Sequence, residues 1–401
     1  MEEYLKIFKN PKNEKAYNID FLSEQYAKKS YNYHAGFPVY RETPLADLKN
    51  LAEYVGVQDF FVKDESWRFG LNAFKVLGGS YAIGKYICER LESHEEKLSY
   101  QFISSDEVHD RIKDLTFIST TDGNHGRGVA WTVRQLGCRC IIHMPKGSAL
   151  ERLDNIKKEG AYADITEYNY DESVRISRKE AEQNGYVMVQ DTAWAGYEDI
   201  PMWIIQGYLT MAYEACQQIE AKGKRPTHIF VQAGVGSLAT AVTGFFSNIY
   251  QDNPPYIAIV ESNKADCLYR TAEADDGKLH TVTGDMDTIM AGLACGEPCT
   301  IGWPVLSGYA DYFISCPEYI SAKGMRVLAN PIEDDPKIIS GESGAVGIGV
   351  VTEILNNPMM KHLSNTLEID GNSVVLCFST EGDTNKEGYR KVVWDGFHPS
   401  C

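Results

Sequence analysis

The sequence has no excess of positive charge: Lys and Arg number 39 against 56 Asp and Glu, for a net charge of −17. Nucleic acids and anionic membrane surfaces are bound through basic footprints, so neither is expected as a partner. Long hydrophobic runs are also missing. Only IFVQAGVGSLATAVTGFF (229–246) approaches membrane length. Its Gln, Ser, Thr and repeated Gly make it a buried strand, turn and helix rather than a span. The segment MEEYLKIFKNPKNEKAYN is charged throughout and lacks the apolar core of a secretory signal. The chain has no internal repeat and no low-complexity tract. Its ten cysteines lack metal-ligand spacing, CRC at 138–140 standing without a partner pair, so no metal is expected. Without a secretory context they read as reduced thiols of a cytoplasmic protein.

What is present is a rhythm of short apolar runs and helical patterns. Strands are predicted at LTFIST (115–120), RCIIHM (139–144), YVMVQ (186–190), THIFVQ (227–232), YIAIVE (256–261), YFIS (312–315) and SVVLCFST (373–380). Helices are predicted at about 76–92, 125–137, 150–160, 171–184, 202–222, 236–250, 317–330 and 344–356. Continuous apolar strands separated by helices imply an α/β fold with mostly parallel sheets flanked by helices. The polar stretch 92–114 interrupts the rhythm as a candidate domain crossing, and NPPY (253–256) and NPIEDDPK (330–337) read as loops.

The Lys75 segment and five strand-end turns combine small residues with titratable or hydroxyl side chains. In LNAFKVLGGSYA (71–82), Lys75 stands alone among apolar and small residues. It is either a snorkelling lysine or a partly desolvated amine able to attack carbonyls and form Schiff bases. STTDGNHGRGVAW (119–131) reads as strand, turn and helix start. Its amides suit an anionic group, Asn124 can donate to a ligand oxygen, and Asp122 can move protons. The plain alternative is a helix capped by Asp122 or Asn124. HIFVQAGVGSLATAVTG (228–244) repeats the design. Its glycine loop fits a phosphate nest, but Gly234-x-Gly236-x-x-Ala239 with Glu261 on the next strand fits a dinucleotide fingerprint equally well. QDTAWAGYEDIP (190–201) adds Asp191, Trp194 and Tyr197. SGESGAVGIGV (340–350) adds Glu342, and VVLCFSTEGDT (374–384) adds Ser379 and Thr380 at the carboxyl end of a strand.

Lys75 in NAFK, then TTDGNHG, AGVGS, GESGA and STEGDT, occur in the order found in pyridoxal phosphate (PLP) enzymes of the tryptophan synthase β-like fold, fold type II. KDESWRFGLNAFK, TTDGNHGRGVAW, MPKGSA, QDTAW, QAGVG, IMAGLACGEP and SGESGAVG are similar to the diaminopropionate ammonia-lyase family, over nearly the whole chain. The resemblance implies that Lys75 carries PLP as a Schiff base, with Phe74 beside the ring. It implies further that Asn124 meets the ring hydroxyl and that Gly234, Val235, Gly236 and Ser237 cradle the phosphate. Glu342 joins the cofactor contacts, and Thr380, with Ser379 less favoured, meets the pyridine nitrogen. Val235 interrupts the longer glycine run usual in the wider fold but leaves the amides available. Asp122 replaces the serine common in related dehydratases and, with Lys75 and Asp191, is implied as catalytic.

The implied reaction is α,β-elimination of D- and L-2,3-diaminopropionate to pyruvate and two ammonia through an aminoacrylate, Lys75 serving the L- and Asp122 the D-enantiomer. The implied architecture is a large PLP-binding domain from 1–114 and 206–401, a small inserted α/β domain at 115–205, and a homodimer. Cys267 and Cys295 read as free structural thiols, with a pairing at the site entrance less favoured. Three competing readings are a serine or threonine dehydratase, a dinucleotide enzyme using Glu261, and a PLP-binding protein without catalysis.

Overall fold

The strands with continuous apolar sequence occupy the middle of a sheet covered on both faces. In the computed structural model, which describes residues 5–12, 17–93, 97–121 and 123–400, eleven strands form two sheets. They are β1 (Lys6–Lys9), β2 (Leu45–Asp47), β3 (Asp59–Asp64), β4 (Thr116–Thr120), β5 (Arg139–Met144), β6 (Tyr162–Ile165), β7 (Val187–Met188), β8 (His228–Gln232), β9 (Tyr256–Ser262), β10 (Tyr312–Cys316) and β11 (Val374–Ser379). The larger sheet runs β1-β10-β9-β8-β11-β3-β2, and the smaller β6-β5-β4-β7. Every residue of β8, β10 and β11 is buried. All inner pairings are parallel; only β1 and β2 run antiparallel, at the two edges of the larger sheet. The smaller sheet is parallel throughout.

All seven expected strands are present, and four more appear that periodicity did not signal. β1 and β2 are short edges whose pairing depends on the sheet they join. β6 leaves Tyr162 exposed on an edge strand. β3, DFFVKD, carries a lysine that looks like a solvent residue, yet Lys63 is fully buried. The polar stretch 92–114 contains two short helices, Tyr100–Ile103 and Asp106–Ile112, started by the Ser99 and Ser105 hydroxyls accepting from Phe102 N and Val108 N.

Three helices converge where Lys75 begins its own. Helix Val76–Arg90 packs against helix Asn124–Gln135 and helix Asp199–Glu220. The contacts are backbone-close. A Cβ on Gly128 would meet Val76 Cα at 2.7 Å, and one on Gly207 would meet Leu77 O at 2.5 Å. Glycine is required at both positions by the neighbour's main chain, and the first turn of the Lys75 helix is thereby clamped from two sides.

Below this point lies a buried charge cluster. Arg68 places Nη1 and Nη2 2.8 and 2.7 Å from the two Glu214 oxygens, and Nε and Nη2 2.8 Å from those of Glu65. Lys63 Nζ reaches Glu214 at 2.8 Å and Thr43 O at 2.7 Å. All four charged side chains are fully excluded from water, and their charges cancel. Burial works against the Glu214 carboxylate, but Arg68 and Lys63 overcome it and hold its pKa below the usual carboxylate range. Removing Glu214 leaves Arg68 paired with Glu65 but Lys63 without its carboxylate, an uncompensated charge in a low dielectric. We expect Glu214→Ala to cost about 3–5 kcal/mol in urea unfolding, whereas truncating the exposed Glu24–Lys28 pair should leave the midpoint nearly unchanged.

A second prediction concerns His143 on β5, held between Asp164 at 2.7 Å and Glu180 at 3.0 Å. Burial alone would lower its pKa, but the two carboxylate hydrogen bonds outweigh that and raise it. A raised histidine pKa stabilises the fold fully below the unfolded value near about 6.5 and ceases to do so as pH rises through the folded value. His143→Gln should therefore destabilise the protein on the order of 1 kcal/mol at pH 5.5 and much less at pH 9, read from unfolding midpoints at both values.

Candidate active site

Lys75 is placed by main-chain pairing with the end of β11. Ala73 bridges Glu381 in antiparallel fashion, Phe74 N donates to Thr380 O at 3.1 Å, and Gly382 N donates to Asn72 O at 3.0 Å. Residues 72–74 and 380–382 thus form one short ribbon, with Lys75 leaving it to begin its helix. The turn before it is tight: Phe69 and Asn72 both adopt positive φ, 50° and 61°.

The Lys75 amine meets Asp191, which follows β7 of the smaller sheet, with Nζ 2.8 Å from Oδ2. The other carboxylate oxygen accepts from Tyr170 OH at 3.1 Å, and Gln190 Nε2 donates to that hydroxyl oxygen at 2.7 Å. Burial pushes the Asp191 pKa up, but the Lys75 ammonium, His125 and hydrogen bonds from Lys75 and Tyr170 more than reverse it, holding the carboxyl below its ordinary range. The pair is a charged lysine and a carboxylate shielded from water.

Facing Lys75 is the loop after β8. Ala233 N closes the strand on Val260 O. The next four amides, of Gly234, Val235, Gly236 and Ser237, have no acceptor among the described residues. Gly236 takes φ +105° and caps helix Ser237–Ile249, so these donors converge at a helix N-terminus. Ser237 Oγ donates to Asp191 O, joining the loop to the segment that holds Lys75. The dinucleotide reading fails here. Glu261 is fully buried, and its two oxygens accept from Leu268 N at 2.9 Å and Tyr269 N at 2.6 Å. It caps a helix and faces no cavity that a ribose would enter.

One cavity is lined by Phe74, Lys75, Asn124, Asp191, Gly234, Val235, Gly236, Ser237 and Thr380. Asp122 lies outside the described residues. Asn124 does not cap the helix it begins; the Thr121 hydroxyl accepts from Gly123 N at 2.9 Å and Gly126 N at 3.0 Å. Asn124 Nδ2 instead donates to Glu381 Oε2. Ser379, the neighbour of Thr380, is not brought to the cavity: alternation along β11 turns it away to bond Ser340 Oγ at 2.8 Å. Glu342 is not brought there either; the adjacent Ser343 takes that place, and Glu342 opens on a separate neighbouring cavity. Trp194 and Tyr197 stack on each other with centroids 4.4 Å apart and brace their own loop, Tyr197 OH donating to Met188 O.

Several cavity residues carried no sequence signal. Tyr208, from helix Asp199–Glu220, lies 4.8 Å from the Phe74 ring, centroid to centroid. Gln232 ends β8 and donates to Thr380 Oγ1 at 2.8 Å. Glu381, in the quoted STEGDT, accepts from Ser343 N at 3.1 Å and stands 3.8 Å from Arg152. Cys295 also lines the cavity, while Cys267 Sγ lies 3.9 Å from Gly234 O; both are buried and no disulfide joins them.

Glu342 generates a prediction. One of its oxygens is buried without a partner. Burial, reinforced by Glu381 and opposed by Arg152, lifts its pKa to about 7. A carboxyl whose folded pKa is raised is protonated in the fold while the unfolded chain ionises, so stability falls as pH rises from about 4.5 to 7. Glu342→Gln should match the parent near pH 4 and exceed it by on the order of 2 kcal/mol at pH 8, measured by urea unfolding.

Residues 37–369 match the model of the pyridoxal-phosphate dependent enzymes. The chain is 50% identical over 366 residues to the diaminopropionate ammonia-lyase of Salmonella typhimurium, covering 91% of each. It is 49% identical over 377 residues to that of Escherichia coli K12, covering 94% of this chain and 93% of the relative. The crystal structure of the Escherichia coli diaminopropionate ammonia-lyase in complex with an aminoacrylate-PLP azomethine reaction intermediate superposes with a TM-score of 0.91. The match has 46% identity and covers 99% of this chain and 98% of that one. Lysine-bearing ribbon, free amide nest and parallel two-sheet frame are thus features of a chain that belongs to the diaminopropionate ammonia-lyase family of pyridoxal-phosphate dependent enzymes.

Proposed function

We propose that the protein is a PLP-dependent carbon–nitrogen lyase that converts 2,3-diaminopropionate and water to pyruvate and two ammonia. The observation that carries the reading is the Lys75 amine beside Asp191 in a cavity faced by four backbone amides without acceptors among the described residues. A phosphate monoester satisfies those amides at a helix N-terminus, and an aldehyde condenses with the amine. The residues therefore fit the cofactor. Lys75 would hold it covalently, Gly234 to Ser237 by its phosphate, Asn124 by its ring hydroxyl and Thr380 by its ring nitrogen, with Phe74 alongside. When bound, the cofactor supplies an electron sink for the bond broken at the α-carbon.

The remaining work falls to the chain. Lys75, once the substrate has displaced it, takes the α-proton of the L-enantiomer, and Asp122 takes that of the D-enantiomer. The β-amino group leaves as ammonia in its protonated form. Asp191, held ionised by Lys75 and Tyr170, gives the cavity a negative charge that favours a substrate with a second amine over one with a β-hydroxyl. A large domain from 1–114 and 206–401 and a small one from 115–205 close on the substrate and exclude water. A cytoplasmic homodimer completes the proposal.

The test is pyruvate and ammonia release by purified holoenzyme from D- and L-diaminopropionate, with D- and L-serine and L-threonine alongside. Two ammonia per pyruvate from both diaminopropionate enantiomers is expected, with serine and threonine poorer; preference for either hydroxy amino acid makes the protein a dehydratase. Asp122→Asn should lower D-activity roughly 100- to 10,000-fold while sparing L-activity. Loss of L-activity alone reverses the assignment of the two bases.

A further inference from the structure

Thr380 is a buried hydroxyl with one lone pair engaged and its single donor role open. Its Oγ1 accepts from Gln232 Nε2 at 2.8 Å, and it is 3% exposed. No acceptor for its own hydrogen lies among the described protein atoms, and the hydroxyl lines the Lys75 cavity. The direction of this bond is set by what surrounds Gln232. Its Nε2 also donates to Phe378 O at 2.9 Å and faces Gly344 O at 3.4 Å. Two carbonyl oxygens at one end of the amide require the NH2 group there, since exchanging the amide atoms would set lone pair against lone pair. The orientation is kept even though Gln232 Oε1 stays buried without a partner. Both amide hydrogens are committed, so the Thr380 proton is left to the cavity.

We propose that Gln232 is a positioning residue: by donating to Thr380 it makes that hydroxyl a donor toward the cavity, which selects an unprotonated acceptor there. The inference rests on the reading above that PLP lies in this cavity with its pyridine nitrogen at Thr380. A pyridine nitrogen presents either a lone pair or a proton. Opposite a hydroxyl constrained to donate, the lone-pair form is matched, whereas a pyridinium would set N–H against O–H. The unprotonated ring is the weaker electron sink. It holds less charge at the α-carbon and so favours departure of the β substituent over return of the α-proton. Gln232, two hydrogen bonds from the cofactor, thereby bears on which reaction follows proton removal.

The test uses holoenzyme carrying PLP labelled with 15N in the ring. In Gln232→Glu the side-chain volume is nearly unchanged, but a carboxyl has at most one hydrogen, which the carbonyl oxygens claim. Thr380 then turns its proton to the glutamate and offers a lone pair to the cavity. The parent should show the 15N resonance of neutral pyridine, and Gln232→Glu should shift it toward the pyridinium position. The ratio of α-proton exchange on alanine to elimination on diaminopropionate should rise at least several-fold. Should Gln232→Glu fail to hold the cofactor, Gln232→Met decides: a shifted resonance supports the inference, and an unshifted one overturns it. A protonated ring in the parent also overturns it. Thr380→Val separates the two levels. If that change moves the resonance while neither Gln232 variant does, only the Gln232 inference fails. If Thr380→Val leaves resonance and PLP affinity unchanged, the placement of the ring nitrogen at Thr380 fails with it.

Discussion

The ion pair between Lys75 and Asp191 joins two parts of the chain that no secondary structure connects. Lys75 belongs to the ribbon that pairs with the end of β11 in the larger sheet; Asp191 follows β7 in the smaller one. Each partner is tied down elsewhere: Lys75 by glycine-mediated helix contacts at Val76 and Leu77, Asp191 by Tyr170. That 2.8 Å contact, with Ser237 Oγ donating to Asp191 O and Asn124 Nδ2 to Glu381, brings the carboxyl ends of the two sheets to a common cavity. The same contact orients the amine within the cavity and gives it a carboxylate partner, which is what lets a lysine sit among small apolar residues.

Much of the surrounding polarity is structural, and its logic differs from that of the cavity. The Lys63, Glu65, Arg68 and Glu214 cluster is neutral overall, closed to water and dense in hydrogen bonds. It fixes the turn from which the Lys75 ribbon departs. The cavity, by contrast, keeps groups without acceptors among the described residues: four amides at Gly234 to Ser237 and the Thr380 proton. Buried donors without acceptors are costly in a finished core. Their concentration around one lysine marks a place whose hydrogen bonds are completed by a ligand. Glu342 is a third case, a buried carboxyl with an unpartnered oxygen whose cost is reduced by holding a proton.

The sequence made the central frame and most of the site legible, and the gaps have physical reasons. β8, β9, β10 and β11 are buried on both faces, so their apolar runs announce them. Lys63 concealed β3, because a charge inside a strand looks like solvent exposure until its partner, Glu214, is brought 151 residues closer by the fold. Thr380 and Ser379 are adjacent and chemically alike; only strand alternation, fixed by the register with β3, decides which faces the cavity. Gln232 ended an expected strand but was silent as a site residue, since its meaning lies in carbonyl oxygens of Phe378 and Gly344 more than a hundred residues away. Glu342 was expected at the cofactor by the resemblance of its motif, and the loop presents Ser343 rather than Glu342 to the Lys75 cavity.

The central claim is that Lys75 is the residue that carries the cofactor. Borohydride reduction of the PLP-loaded protein fixes the cofactor to whichever amine holds it, and peptide mass mapping then locates it. A single modified peptide containing Lys75 is expected, with no modification in Lys75→Ala. A pyridoxyl group found on Lys63, Lys85 or any other lysine, or absent from the parent, would contradict it.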